Sequence, residues 1–438
     1  MPVYINTLGC ARNLVDSEIM AADLRNAGAD ITHEPANADV IIINTCSFIE
    51  SAINESVDTI LELAAYKKRG RCRKLIVTGC LPERFREEIA TAIPEVDIFL
   101  GTGAYDRINQ AVSGEIKCRS CVLPQPETRS LPTHHAGREP STYPMAYLKI
   151  GDGCNRHCTY CVIPKLRGRL RSREMPDILA EAETLISKGF KEIVLIAQDT
   201  SAYGRDLSPK KTLADLLERL AGISQTARVR FLYGSPDHTD AGLIETVARH
   251  PKIVPYFDLP VQHVSSGVLK RMGRRYREKD LLRLFDKIRS AIPGATLRTT
   301  LLTGFPGETE TDFYQLLQFL ETVRFDHVGV FIYSDAEDLV SHHLPDHVPA
   351  TLASERYDHL MMRQAEISFE NNRNRVGTTY SVLVEDRIDD NLFVGRTAFQ
   401  APEVDGITYI ESPNLTVGEF IDVQIKEAYA YDLKGEIA

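Results

Sequence analysis

Along the first hundred or so residues, short apolar runs alternate with longer stretches whose apolar positions recur at helical spacing. Val3–Asn6, Val40–Asn44 and Leu75–Thr78 read as strands, and the stretch from Leu14 to Ala27 reads as a helix. Strand followed by helix, repeated, predicts a parallel sheet in an α/β domain over residues 1–117. A polar interval with Pro124, Pro126 and Pro132 follows and reads as a linker over 118–139. A second series then begins, with strands expected at Tyr147–Ile150, Glu192–Ile196, Val229–Tyr233, Tyr256–Leu259, Thr296–Leu302 and His327–Phe331. Helical stretches such as Leu213–Leu220 and Leu281–Ile292 lie between them. Six such units over 140–370 predict a partial (β/α)6 barrel, short of the eight of a closed one. Beyond residue 372 the runs shorten. Tyr380–Glu385, Leu392–Arg396, Ile407–Ile410 and Phe420–Ile425 read as strands of a small antiparallel β-barrel, five-stranded and OB-like, over 372–438. The fold class expected is therefore α/β multidomain, and 438 residues exceed what one core usually serves.

Composition narrows the picture. No apolar run approaches the roughly 18–20 residues that span a bilayer, so no membrane partner is expected. Met1-Pro2-Val3-Tyr4-Ile5-Asn6 enters the first strand without a basic or signal-type apolar segment, which predicts a cytoplasmic protein. The net charge of −10 argues against a surface broadly coated with nucleic acid. Nine cysteines in a reducing compartment then call for an explanation other than disulfides.

Three of them, Cys10, Cys46 and Cys80, each stand just past the carboxyl end of a predicted strand, 36 and 34 residues apart. That edge of an open α/β sheet is where ligands collect, so three residues distant in sequence are expected to converge. One such cysteine reads as a small buried apolar residue; three at equivalent positions read as ligands. Cys154, Cys158 and Cys161 form a Cys-x3-Cys-x2-Cys motif on the loop leaving the first barrel strand. Three thiolates on a short loop can hold three irons of a cubane and leave the fourth open. A closed zinc site would need a fourth protein ligand, and His157 lies inside the motif at an unusual spacing.

This spacing resembles the radical S-adenosylmethionine (SAM) superfamily, in which the open iron chelates the amino and carboxylate groups of SAM. The resemblance implies that Thr303-Gly304-Phe305-Pro306-Gly307-Glu308 contacts the adenosine part of SAM, and that Tyr160 corresponds to the aromatic whose backbone touches adenine. Gln198-Asp199 and Gln262-His263 follow the second and fourth barrel strands and share the same mouth. SAM contacts are thus expected from Tyr160, Gln198, Gly304 and Glu308. Arg167, Arg169, Arg171 and Arg173 follow the motif; Arg167 and His263 are the residues expected to face the substrate. A reduced cluster of this kind gives one electron to SAM and yields a 5′-deoxyadenosyl radical able to remove hydrogen from an unactivated carbon.

The three parts together resemble the methylthiotransferase family: an N-terminal α/β domain with three cluster cysteines, a radical SAM core, and a C-terminal TRAM β-barrel. The resemblance implies two 4Fe–4S clusters, with Cys10, Cys46 and Cys80 ligating an auxiliary one whose open iron holds the sulfur to be transferred. It also implies that one SAM methylates that sulfur while a second supplies the radical. Leu8-Gly9-Cys10-Ala11-Arg12-Asn13-Leu14-Val15-Asp16-Ser17-Glu18 resembles the branch acting on an aspartate β-carbon of small-subunit ribosomal protein twelve. So do Asp258-Leu259-Pro260-Val261-Gln262-His263, where the tRNA branch usually has Gln-Ser-Gly, and the terminal stretch Ala428–Glu436. Charge points the same way. From 376 to 438 there are four Lys and Arg against twelve Asp and Glu, which suits a basic protein partner better than RNA.

The chain departs from the family at Ser334-Asp335-Ala336-Glu337-Asp338, where Glu-Gly-Thr is expected, and at Cys118-Arg119-Ser120-Cys121, which is outside the family pattern. Cys118 and Cys121 read as free linker thiols, or with Cys72 as part of a zinc site. His134-His135 and His342-His343 read as solvated loop residues. The partners implied are a flavodoxin- or ferredoxin-like electron donor and a basic protein substrate, with RNA met only as part of the ribosome and the enzyme a monomer. Two other readings stay open: methylthiolation of a tRNA adenosine, and a cluster protein that senses iron or redox state or carries electrons.

Overall fold

The computed structural model describes residues 1–128, 131, 137–224 and 228–438; Pro132 and His134-His135 lie outside them. The N-terminal unit is a six-stranded parallel sheet of β1 (Pro2–Thr7), β2 (Asp30–Ile31), β3 (Val40–Thr45), β4 (Lys74–Gly79), β5 (Ile98–Leu100) and β6 (Ser120–Val122), in the order β2-β1-β3-β4-β5-β6. Every residue of β3 is buried, as its unbroken run of Val40 and three isoleucines requires of a strand covered on both faces. Strands β2, β5 and β6 have only two or three residues, too few to carry a periodicity. The start of the expected linker is thereby corrected: Cys121 pairs with Phe99 as part of the edge strand β6. The far end of that interval is fastened as well. Arg138 is 1% exposed and pairs with Glu18 at 2.7 Å and Glu181 at 2.8 Å, one partner from each flanking unit.

The central unit comprises β7 (Met145–Lys149), a short ribbon of β8 (Gly151–Asp152) and β9 (Arg171–Ser172), then β10 (Glu192–Ile196), β11 (Arg228–Phe231), β12 (Tyr256–Asp258), β13 (Thr296–Thr303) and β14 (His327–Ile332). Strands β7-β10-β11 and β12-β13-β14 form two parallel sheets, joined through the Val229–Ile253 bridge. Alternation along each strand sends one set of side chains outward: Leu148, Leu195, Phe231 and Leu297 pack against helical Leu185, Leu216 and Phe285. The other set, including Tyr147, Val194, Ile196 and Tyr256, packs against Ala11, Val15 and Ile19. The helix Ala11–Asn26 is therefore covered by its own sheet on one side and by the barrel strands on the other. This places the loop before it, with Cys10, at the barrel.

The third unit is a closed barrel of β15 (Thr379–Asp389), β16 (Leu392–Arg396), β17 (Thr408–Glu411), β18 (Phe420–Ala428) and β19 (Leu433–Ile437), in the order β15-β16-β17-β19-β18. It is antiparallel except for the β17–β19 pair. Strand β19 is missing from the strands read in the sequence because Gly435 takes an inward position where alternation calls for an apolar side chain. The barrel is locked to the core by Glu192, which pairs with Arg230 at 2.6 Å and with Arg396 at 3.0 Å.

Candidate active site between two cysteine trios

The carboxyl ends of β1, β3 and β4 lead directly into Cys10, Cys46 and Cys80. Their turns are tied together by side chains. Asn13 Nδ2 donates to Leu8 O at 2.9 Å and Thr45 O at 3.0 Å, and Asn44 Nδ2 donates to Asn13 O at 2.9 Å. Gly9, at φ +92°, has no room for a side chain: a Cβ there would lie 2.7 Å from Cys46 Cβ. Glycine is what lets the Cys10 and Cys46 loops close on one another. Opposite them, the loop of Cys154, Cys158 and Cys161 is held by Cys154 N–H to Gly168 O (3.0 Å), by Thr159 Oγ1 to Arg271 O (2.8 Å), and by Arg156, which pairs with Asp199 (3.1 Å) and Asp237 (2.7 Å).

All six cysteines line a single cavity of about 560 Å³, together with Arg12, Tyr160, Arg167, Gln198, Tyr233, Gln262 and Arg274. Burial pushes the Cys80 thiol up to about 11 and Cys161 to about 12, and raises Cys46 and Cys154 as well. Thiols raised in this way stay protonated near neutral pH, and a metal that binds them displaces the protons. Cys10 is the exception: burial opposes its ionisation, but the guanidiniums of Arg12 and Arg167 outweigh it and lower the thiol. Each trio brings three thiols to the cavity, the number that a cubane with one open iron requires. Gln198 donates Nε2–H to Asp152 at 2.8 Å, while its Oε1 is buried without a partner among the described residues. A ligand in the cavity would satisfy that oxygen.

The expected site residues divide. Tyr160 and Gln198 line the cavity. Tyr160 OH accepts from Arg274 Nη2 at 2.6 Å. Gly304 and Glu308 are not among the lining residues. Gly304, at φ +76°, is pressed against Ala353, whose Cβ would lie 2.5 Å from an added Cβ. Glu308 accepts from Gly304 N–H (2.8 Å), Thr303 (3.1 Å) and Arg356 (2.7 Å), fixing the turn after β13. His263 is fully buried, and its Nδ1 accepts from the N–H groups of Val264 (2.9 Å) and Ser265 (3.0 Å). It cannot face a substrate from there. Arg167 reaches the cavity wall, but its charge is spent on Asp16 at 2.7 Å and on Asn13 Oδ1 at 2.6 Å, so it clamps the N-terminal unit to the core. Arg173 is likewise structural, pairing with Asp177 and Glu181, each at 2.7 Å.

Tyr233, not singled out from the sequence, and Gln262, expected at the barrel mouth, complete the site. Tyr233 and Gln262 carry left-handed backbones, φ 60° and 68°, just past β11 and β12; no composition signal marks such a turn in a non-glycine residue. The divergent segment 334–338 supplies Asp338, which pairs with Arg84 at 2.6 Å, and His342, expected in solvent, pairs with Asp335 at 2.8 Å. Of the remaining cysteines, Cys72 is buried in the core under the N-terminal sheet, Cys121 packs against that same core, and Cys118 is exposed. Among the described residues no three His, Cys, Asp or Glu side chains meet as closely as a single metal ion requires. The two trios ring a space instead of meeting at a point. Among the described residues no helix is long and apolar enough to cross a membrane.

Comparison with known proteins follows the same three units. Uncharacterized protein family UPF0004 matches residues 2–101, the Radical SAM superfamily 148–320 and the TRAM domain 376–438. The chain is 51% identical over 438 residues to the ribosomal protein uS12 methylthiotransferase RimO of Desulfosudis oleivorans, covering 100% of both chains. It is 46% identical over 439 residues to the protein of the same name from Clostridioides difficile, covering 100% of this chain and 99% of that one. Among solved structures, the radical SAM methyltransferase TsrM from Kitasatospora setae superposes with a TM-score of 0.57 at 13% identity, covering 90% of this chain and 78% of that one. The cobalamin-dependent radical enzyme OxsB gives 0.54 at 15% identity, covering 84% and 56%. These structural likenesses concern the fold alone. Identity of half the residues over the whole of both chains settles the family: this chain belongs to the RimO family of ribosomal protein uS12 methylthiotransferases.

Proposed function

We propose that this chain replaces a hydrogen on the β-carbon of an aspartate in ribosomal protein uS12 with a methylthio group, using SAM and two 4Fe–4S clusters. The observation that carries this reading is the shared cavity: two sets of three cysteines, from separate units of the chain, open onto one space. Cys154, Cys158 and Cys161 would hold the cluster that binds SAM, and Cys10, Cys46 and Cys80 the auxiliary cluster. Bound there, these groups supply the methyl, the sulfur and a hydrogen-abstracting radical. The chain's own residues position and enclose. Tyr160 and Gln198 stand on the SAM side, where the unpartnered Gln198 Oε1 can accept a hydrogen bond from an amino group. Gly304 and Glu308 act from behind the wall, by shaping the turn after β13. Arg167 and Asn13 hold the auxiliary trio against the core.

The substrate is a basic protein, and the acidic C-terminal barrel supports that choice over a tRNA adenosine. A low-potential flavodoxin or ferredoxin is the class of electron donor. The enzyme acts as a monomer in the cytoplasm and meets RNA only as part of the ribosome. The test is a product assay on anaerobically reconstituted protein with SAM, sulfide and reductant. A peptide from the aspartate-bearing loop of uS12 and an isopentenylated tRNA anticodon stem are offered separately, and mass spectrometry reads replacement of hydrogen by methylthio. Modified peptide with untouched RNA is expected. Modified RNA would overturn the substrate, and intact SAM with neither product would overturn the chemistry.

A further inference from the structure

Four arginines line the cavity, and three are bound to a carboxylate or phenol oxygen of the protein. Arg156 is paired with Asp199 and Asp237, Arg167 with Asp16, and Arg274 is bound to the phenol oxygen of Tyr160. Arg12 differs. Its Nη1 donates to the backbone oxygen of Ala197 at 2.8 Å, and its guanidinium stands 4.5 Å from the centre of the Tyr233 ring. It has no carboxylate partner among the described residues. A guanidinium presents five donors in a planar fork that matches a carboxylate with two parallel hydrogen bonds. The other side-chain contact of Arg12 is the Cys10 thiol, and the remaining donors of the fork are left for something that enters the cavity.

The surroundings hold the guanidinium in place. Tyr233 adopts a left-handed backbone, φ 60°, which an L-residue adopts only when its surroundings impose it. Its N–H donates to Asp258 Oδ2 at 2.8 Å, and Asp258 is itself held by Arg298 at 3.0 Å. That chain of contacts keeps an aromatic ring against Arg12. Arg12 also stands two residues after Cys10 and lines the same cavity as the other trio.

We propose that Arg12 binds the side-chain carboxylate of the target aspartate, an assignment that rests on the substrate reading given above. The reacting β-carbon is one bond from that carboxylate, so a bidentate clamp on the latter fixes the former between the two trios. It also explains selection of aspartate: asparagine offers one oxygen and brings two N–H donors against a cation.

The test measures binding of two uS12 loop peptides, one with the target aspartate and one with asparagine in its place, to the anaerobic holoprotein in the presence of SAM. The wild-type enzyme is expected to bind the aspartate peptide about ten- to a hundredfold more tightly. Arg12→Gln removes that preference, so that both peptides bind like the asparagine peptide, while Arg12→Lys keeps part of it. The wild-type comparison involves no variant and cannot be mimicked by misfolding. No preference in the wild type, or a preference that survives in Arg12→Gln, would overturn the assignment. So would an Arg12→Gln enzyme that weakens both peptides equally while shifting the auxiliary cluster's reduction potential, because Arg12 would then tune the cluster. A wild-type enzyme that binds and modifies neither peptide would overturn the substrate reading itself.

Discussion

Asp16 on the first helix and Lys149 at the end of the first barrel strand form an ion pair at 2.8 Å, with both side chains at most 1% exposed. Asp16 also holds Arg167 at 2.7 Å, and Lys149 reaches on to Asp152 at 2.9 Å. This buried network joins the unit that carries one cysteine trio to the unit that carries the other. Removing one partner of such a network leaves uncompensated charge in a low-dielectric interior. Asp16→Asn is therefore expected to cost about 3 kcal/mol, read as a lowered unfolding midpoint of the anaerobic holoprotein. The same variant should lose iron from the auxiliary trio before the radical SAM trio. An unchanged midpoint would mean that the two units are held together elsewhere.

Gly304 gives a second prediction. The sequence suggests a ligand contact there, whereas the structure gives the position to packing against Ala353. Gly304→Ala should destabilise the protein by about 1–3 kcal/mol through overpacking and a positive φ. Because the residue does not line the cavity, SAM affinity at a temperature where the variant is folded should change by less than about threefold. A loss of SAM binding in a folded variant would restore the direct contact.

The contrast between Gly304 and the cysteines shows what the sequence made legible. Cys10, Cys46 and Cys80 were readable because each ends a strand in a regular strand–helix repeat, and that repeat dictates where strand ends lie. Strands of five or six buried residues, such as β3 and β10, announced themselves for the same reason. What stayed hidden depended on tertiary partners. His263 and Gln262 are adjacent, yet one is fully buried behind the wall and the other lines the cavity. The left-handed turn at Gln262 decides which, and it is held by Gln262 N–H to Thr300 O at 2.8 Å and Leu302 N–H to Gln262 O at 2.7 Å. Arg167 and Arg12 look alike in sequence; only the position of Asp16 distinguishes a clamp from a guanidinium with no carboxylate partner among the described residues.

The acidic barrel supports a salt-dependent encounter with a basic partner. At the tip of the β15–β16 hairpin, Asp386, Asp389 and Asp390 are exposed, and Arg387 pairs with Asp390 at 2.9 Å. Rim charges mainly set association rate and its salt dependence. Replacing Asp386, Asp389 and Asp390 together by asparagine should slow association with intact uS12 by about three- to tenfold at low salt. The difference should vanish at about 0.5 M salt, where screening is short-ranged. Stopped-flow association at two ionic strengths checks this, and equal rates at low salt would place the docking surface away from this hairpin.

His263 supplies the pH dependence. Burial pushes its pKa down from 6.5 to about 4; the nearby Asp312 opposes that shift and Arg356 adds to it. With Nδ1 accepting two backbone N–H groups, the proton of the neutral ring sits on Nε2, which faces Glu308 at 3.8 Å. The folded value lies below the unfolded one, so between the two the unfolded chain binds more protons, and stability rises with pH. The contribution is complete above about pH 6.5 and is lost as pH falls through 6.5 toward 4. A shift of that size corresponds to about 3 kcal/mol by the low-pH end. Asparagine at 263 places an acceptor where Nδ1 stands but has nothing to protonate. His263→Asn should thus be slightly less stable than wild type at pH 7.5 and lose less stability on going to pH 5, so the two unfolding midpoints converge as pH falls. Parallel midpoints across that range would mean that His263 titrates normally in the folded protein and would overturn this prediction.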